Sequence, residues 1–114
     1  MDTLNQIYQI IDNKKNADPE KSYVASLLGG GVKKISKKVV EEAGETIIAS
    51  LAEDRSRVIS ESADLIFHLL VLLYAKKVKP SDVMKELEAR MGISGLDEKA
   101  LRNQKKKSKK NTKN

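Results

Sequence analysis

Residues 57–77 hold the most constraining pattern in the chain: Leu65-Ile66-Phe67, then Leu69-Leu70-Val71-Leu72-Leu73, with only His68 between them. Read as a helix, the segment is apolar on nearly every side, and such a helix has to be covered on all sides. In a chain of 114 residues, three modest companion helices can hardly enclose it. A core completed by a second copy is the expected solution, since chains of this size often gain stability by oligomerising. The competing arrangement is a monomer that folds its own terminal helices around the segment. The run 65–75 taken alone is much shorter than the ~20 residues that a bilayer span needs. Residues 1–11 carry Asp2 and lack the basic stretch of a secretory signal. A cytoplasmic protein without a membrane span is expected.

The remaining pattern is helical too. Leu4, Ile7, Tyr8 and Ile11 fall at the i, i+3, i+4, i+7 spacing of one helix face. Turn formers and Pro19 then break the pattern. Residues 22–28 suit a short helix stopped by Gly29-Gly30-Gly31. A long helix is expected from Val32 to about Leu51, with Val32, Ile35, Val39, Thr46 and Ala49 on its seam. Glu53-Asp54-Arg55-Ser56 reads as a helix–helix turn into the apolar segment. Pro80 marks the next boundary, and a last helix through Val83 and Leu87 to Met91 closes at Gly92. No useful strand-like alternation appears, so the expected fold is all-α: a helical bundle around a long antiparallel helix hairpin, completed by dimerisation.

The net charge of +6 invites a nucleic-acid reading, but it is unevenly placed. Seven of the 22 lysines and arginines lie in residues 102–114, which contain no acid, so the body is nearly balanced. The expected division is a domain over residues 1–101 and a lysine-rich tail, 102–114, read as a disordered, solubilising extension. Aromatics at 4% argue against a stacking platform for single-stranded nucleic acid. With no cysteine and one histidine, thiol chemistry, iron–sulfur clusters and multi-histidine metal sites are excluded. Any metal must be held by oxygen.

The oxygens are available. Glu41-Glu42-Ala43-Gly44-Glu45 lies within the first long helix, and Glu61-Ser62-Ala63-Asp64 within the second. Residues three apart share a helix face, which pairs Glu42 with Glu45 and Glu61 with Asp64. Folding the two helices antiparallel about the turn near Glu53 sets Glu45 opposite Glu61 and Glu42 opposite Asp64. Four like charges at one level would raise one another's pKa unless a multivalent cation sits between them. All-oxygen donors select a hard ion, Mg²⁺ or Mn²⁺. The bland alternative is a set of ordinary solvated helix acids. Lys34 and Lys38 continue the stripe of Glu41 and Glu45, and Lys38 falls opposite His68. That order suits a metal-complexed polyphosphate, with ammonium groups on the outer phosphate oxygens; the bland reading is charge pairing along a helix. His68 is either satisfied by a hydrogen bond beside the core or a substrate contact.

The sequence Glu42-x-x-Glu45, a turn, then Glu61-x-x-Asp64 resembles the metal-binding signature of the all-α nucleoside triphosphate pyrophosphohydrolases. Ser22-Tyr23, the stretch from Gly31 through Lys34 and Lys38 to Glu42, and Glu61-x-x-Asp64-Leu65-x-x-His68 narrow the resemblance to the phosphoribosyl-ATP pyrophosphatase family. It spans roughly Leu4 to Arg90. Two positions depart from the family pattern: Val40 stands where glycine is common, and Gly44 where a bulkier apolar residue is usual.

The resemblance implies hydrolysis of phosphoribosyl-ATP to phosphoribosyl-AMP and pyrophosphate, the second step of histidine biosynthesis. It implies Mg²⁺ (or Mn²⁺) on Glu42, Glu45, Glu61 and Asp64, with Glu41 or a less tightly bound carboxylate such as Glu45 as proton acceptor. Lys34, Lys38 and His68 are the expected phosphate and substrate contacts, and the expected assembly is a homodimer. Two other functions compete: a house-cleaning nucleotide pyrophosphohydrolase of the same superfamily, and a helical nucleic-acid-binding protein working through the lysine tail.

Overall fold

The computed structural model describes residues 2–92. Among the described residues there are four helices and no strand: α1 (Thr3–Lys14), α2 (Tyr23–Leu51), α3 (Arg55–Ala75) and α4 (Pro80–Met91). The boundary expected at residue 101 and the lysine tail lie outside the described residues. The chain divides into two compact units after Pro80. α1, α2 and α3 build the first, and α4 leads into the second.

Each helix start has a local cause. The Asp2 carboxylate accepts the Leu4 N–H at 2.9 Å, the Ser22 hydroxyl oxygen accepts the Ala25 N–H at 3.1 Å, and Asp54 accepts the Arg57 N–H at 3.2 Å. These caps satisfy donors that the first helical turn leaves orphaned. Asp54 starts α3 at Arg55, two residues before the apolar pattern alone suggests. Pro80 opens α4, a position where its missing N–H costs nothing.

Only one of the three glycines breaks the helix. Gly31 adopts φ 81° and ψ 178°, inside an element that otherwise runs from Tyr23 to Leu51. Side chains rarely tolerate that φ, whereas glycine does. The expected short helix and long helix therefore meet at a break at Gly31. The kink also changes the seam: Ile35 and Ala49 are buried, but Val32, directly after the break, is 41% exposed.

Both α2 and α3 end in the same way. Glu53 and Lys77 take φ of 60° and 62°. The Glu53 N–H bonds to the Ser50 carbonyl and the Asp54 N–H to that of Ala49; the Lys77 N–H bonds to Tyr74 and the Val78 N–H to Leu73. These are Schellman caps, which usually place glycine at the left-handed position.

The core gathers Ile11, Val24, Leu27, Ile35, Leu70 and Val71, at the end of α2 and α3 remote from their connection. α1 lays Leu4 and Ile7 against it, and its Tyr8 ring meets Tyr74 edge-on with centroids 5.4 Å apart. Near the connection the picture reverses. Ile47, Ile48, Leu51 and Ile59 are all more than half exposed, and Ile66 and Leu69 are exposed further along α3. Only His68, Leu70 and Val71 are buried on α3. By length and composition this 21-residue helix could cross a membrane, so the short run 65–75 understated its extent.

Candidate metal and phosphate site

Glu61 and Asp64 stand three residues apart on α3, and Glu42 approaches them from α2. One carboxylate oxygen from each lies within 4.8 Å of the others. They line a cleft of about 580 Å³ whose other acids are Glu41 and Glu45. Glu42 and Glu61 are largely shielded, with side chains 15% and 19% exposed, while Asp64 is exposed. Carboxylates brought this close and partly desolvated repel one another.

Two cations bracket the cluster. Lys38 sits 3.3 Å from Glu41 and 3.6 Å from Glu42. At the other end, Arg57 lies 3.4 Å from Glu61 and 3.7 Å from Glu45. Five carboxylates against these two cations leave an acidic excess suited to a divalent ion, and an all-oxygen donor set selects a hard one. The hydrogen bond to Glu41, and next the nearby Tyr23 oxygen, hold the Lys38 ammonium above the usual lysine range.

The expected site residues do not all converge. Glu42, Glu61 and Asp64 meet, whereas Glu45 lies in the same cleft but turns to Arg57. Glu41 stays at the rim, half exposed and paired with Lys38. Lys34 points back along its own helix and donates to the Ser26 hydroxyl at 3.3 Å. Its aliphatic stem occupies the space that a Cβ on Gly30 would need.

His68 is 5% exposed, and both ring nitrogens have partners within the chain. Nδ1 is 2.7 Å from the Asp64 carbonyl, and Nε2 is 2.7 Å from the Tyr23 hydroxyl. A carbonyl only accepts, so Nδ1 carries the proton and Nε2 receives the phenol O–H. Arg57 is the residue that pattern reading overlooked, although its i, i+4 spacing to Glu61 was a usable signal. Tyr23 was part of the resemblance, but no role was read for it.

The two departures from the family pattern both line the cleft. Val40 is 71% exposed. A Cβ added at Gly44 would meet nothing within 4 Å, so no packing partner within the chain requires glycine there.

The described residues thus define an all-helical protein with an acid-lined cleft bracketed by two cations. The family profile described as phosphoribosyl-ATP pyrophosphohydrolase matches residues 4–91, and the chain belongs to that family. A phosphoribosyl-ATP pyrophosphatase of Erythrobacter litoralis is 51% identical over 102 residues, covering 90% of this chain and 98% of its own. One from Neisseria gonorrhoeae is 52% identical over 99 residues, covering 87% and 92%. Another, from Geobacter sulfurreducens, is 50% identical over 103 residues, covering 90% and 95%.

Proposed function

We infer that this chain hydrolyses phosphoribosyl-ATP to phosphoribosyl-AMP and pyrophosphate, the second step of histidine biosynthesis. Family membership over residues 4–91 and the names of near-full-length relatives support the activity. The observation that ties it to chemistry is the meeting of Glu42, Glu61 and Asp64 in one cleft.

In this reading Glu42, Glu61 and Asp64, together with Glu45, would hold Mg²⁺ (or Mn²⁺). The ion would supply charge neutralisation of the triphosphate and activation of water. Lys38 donates to phosphate oxygens from the rim and stabilises charge on the departing pyrophosphate. Lys34 does the same on releasing Ser26. Glu41, half exposed and paired with Lys38, accepts the proton of the attacking water, with Glu45 as the other candidate base. His68 belongs to the substrate side of the site and acts there through Tyr23.

The same reading makes α2 and α3 an antiparallel hairpin whose connected end, with its exposed Ile47, Ile48, Leu51 and Ile59, is covered by a second copy, giving a homodimer. Arg57, Glu61, Asp64 and His68 fall along α3, and polar side chains so spaced suit a protein partner better than lipid. The enzyme is cytoplasmic in this account, and residues 102–114 are a solubilising tail that turnover does not need.

The test is pyrophosphate release from phosphoribosyl-ATP against a panel of ordinary nucleoside triphosphates, with Mg²⁺ and with excess chelator. Metal-dependent turnover with preference for phosphoribosyl-ATP is expected. Equal or better turnover of ordinary triphosphates would overturn the substrate assignment in favour of house-cleaning.

A further inference from the structure

We propose that Tyr23 is the base-contacting residue of the site, its exposed ring stacking on the purine of the nucleotide, and that His68 is the positioning residue that holds it there. The proposal rests on the nucleotide reading of the cleft given above.

The chain has three tyrosines, one phenylalanine and no tryptophan. Tyr8 and Tyr74 pack against each other, and Phe67 is partly buried against the core. Tyr23 alone among the four is exposed, at 52%. An exposed tyrosine ordinarily turns its hydroxyl to water. Here the hydroxyl points inward, to the Nε2 of a histidine that is 5% exposed. The Nδ1–H bond to the Asp64 carbonyl fixes that histidine as the acceptor. Phe67 backs the Tyr23 ring in a stacked arrangement, centroids 6.3 Å apart and planes inclined by 22°. The ring is thus tethered at its oxygen, supported from behind and open to solvent.

Its place in the fold fits a base. His68 follows Asp64 by one helical turn, about 6 Å along α3, so the tether lies one turn beyond the carboxylate cluster. Lys38 bonds to Glu41 and Glu42 in the cleft. Along α3 the order is Glu61 and Asp64, then His68 with the Tyr23 ring tethered to it. A nucleotide whose phosphates lie over the acids and the lysine brings its base toward Tyr23.

Calorimetric binding of AMP and of inorganic tripolyphosphate, each in Mg²⁺, tests this without requiring turnover. Tyr23→Leu should weaken AMP binding by roughly 5- to 150-fold, the range for loss of one base–aromatic stack, and leave tripolyphosphate binding within about twofold. Tyr23→Trp should retain AMP binding. Tyr23→Phe keeps the ring without the tether and should fall between. His68→Leu should match Tyr23→Phe, His68→Gln should recover part of the loss, and adding His68→Leu to Tyr23→Phe should cost nothing more. Unchanged AMP binding in Tyr23→Leu would overturn the proposal, as would parallel loss of AMP and tripolyphosphate. Normal AMP discrimination without hydrolysis of phosphoribosyl-ATP would instead count against the reaction assigned above.

Discussion

Arg57, near the start of α3, lies 3.7 Å from Glu45 near the end of α2. The same guanidinium is 3.4 Å from Glu61. One cation thus neutralises two cleft acids, in competition with any ion those acids would hold. Both Arg57 and Glu45 are about half exposed, so the contact is a screened one worth roughly 0.2–1 kcal/mol. Arg57→Ala should therefore tighten Mn²⁺ binding only modestly, by at most about fivefold. Titration of Mn²⁺ followed by electron paramagnetic resonance measures it; weaker binding in the variant would show that Arg57 supports the ion site instead.

Asp64→Asn and Glu61→Gln should each lower turnover by at least about 100-fold, because each removes charge from the three-acid cluster. Helix content by circular dichroism should be unchanged, since neither side chain is buried in the core. Full activity in excess chelator would remove the metal from the mechanism.

The Tyr74 hydroxyl donates to Asp12 at 2.6 Å. That bond, and next Lys15, hold the Asp12 carboxyl below its ordinary value, while Asp12 holds the Tyr74 phenol above its own. A lowered acid contributes stability above its ordinary value and loses it as pH falls through the folded one. A raised phenol contributes below its ordinary value and loses it as pH rises through the folded one. Tyr74→Phe should therefore lower Tm across the neutral range. The difference from wild type should shrink in strong acid and again in strong alkali. A difference independent of pH would mean that packing, not the bond, is lost.

Glu53 and Lys77 occupy left-handed positions that cost a side-chain-bearing residue about 1 kcal/mol or more. Glu53→Gly and Lys77→Gly should each raise stability in urea unfolding by up to about 1 kcal/mol, the relief of strain exceeding glycine's added unfolded-state entropy. Destabilisation by either variant would show that its side chain makes a compensating contact.

Ile47, Ile48, Leu51 and Ile59 remain exposed around the connection between α2 and α3. Covered by a second copy, they would make Ile59→Asp shift the protein from dimer to monomer in sedimentation velocity at micromolar concentration. A wild-type chain that is monomeric and active at that concentration would refute the dimer.

What the sequence determined by itself is local. Helix periodicity and the adjacency of Glu61 and Asp64 follow from spacing, and a linear reading reaches them; the caps at Asp2, Ser22 and Asp54 are equally local, but it took the structure to show them. The apolar character of α3 was equally plain. Which of its faces this chain buries was not, because the main core cluster forms at the end remote from the connection. The tertiary structure alone decided that Glu45 faces Arg57, that Lys34 folds back on Ser26, and that His68 holds Tyr23. Reflecting one helix across a turn assumes straight helices in constant phase. Gly31 breaks that phase at a single residue, and the rotation of α2 against α3 is set by packing of Leu27 and Ile35 in one cluster with Val71, which is 44 and 36 positions away from them.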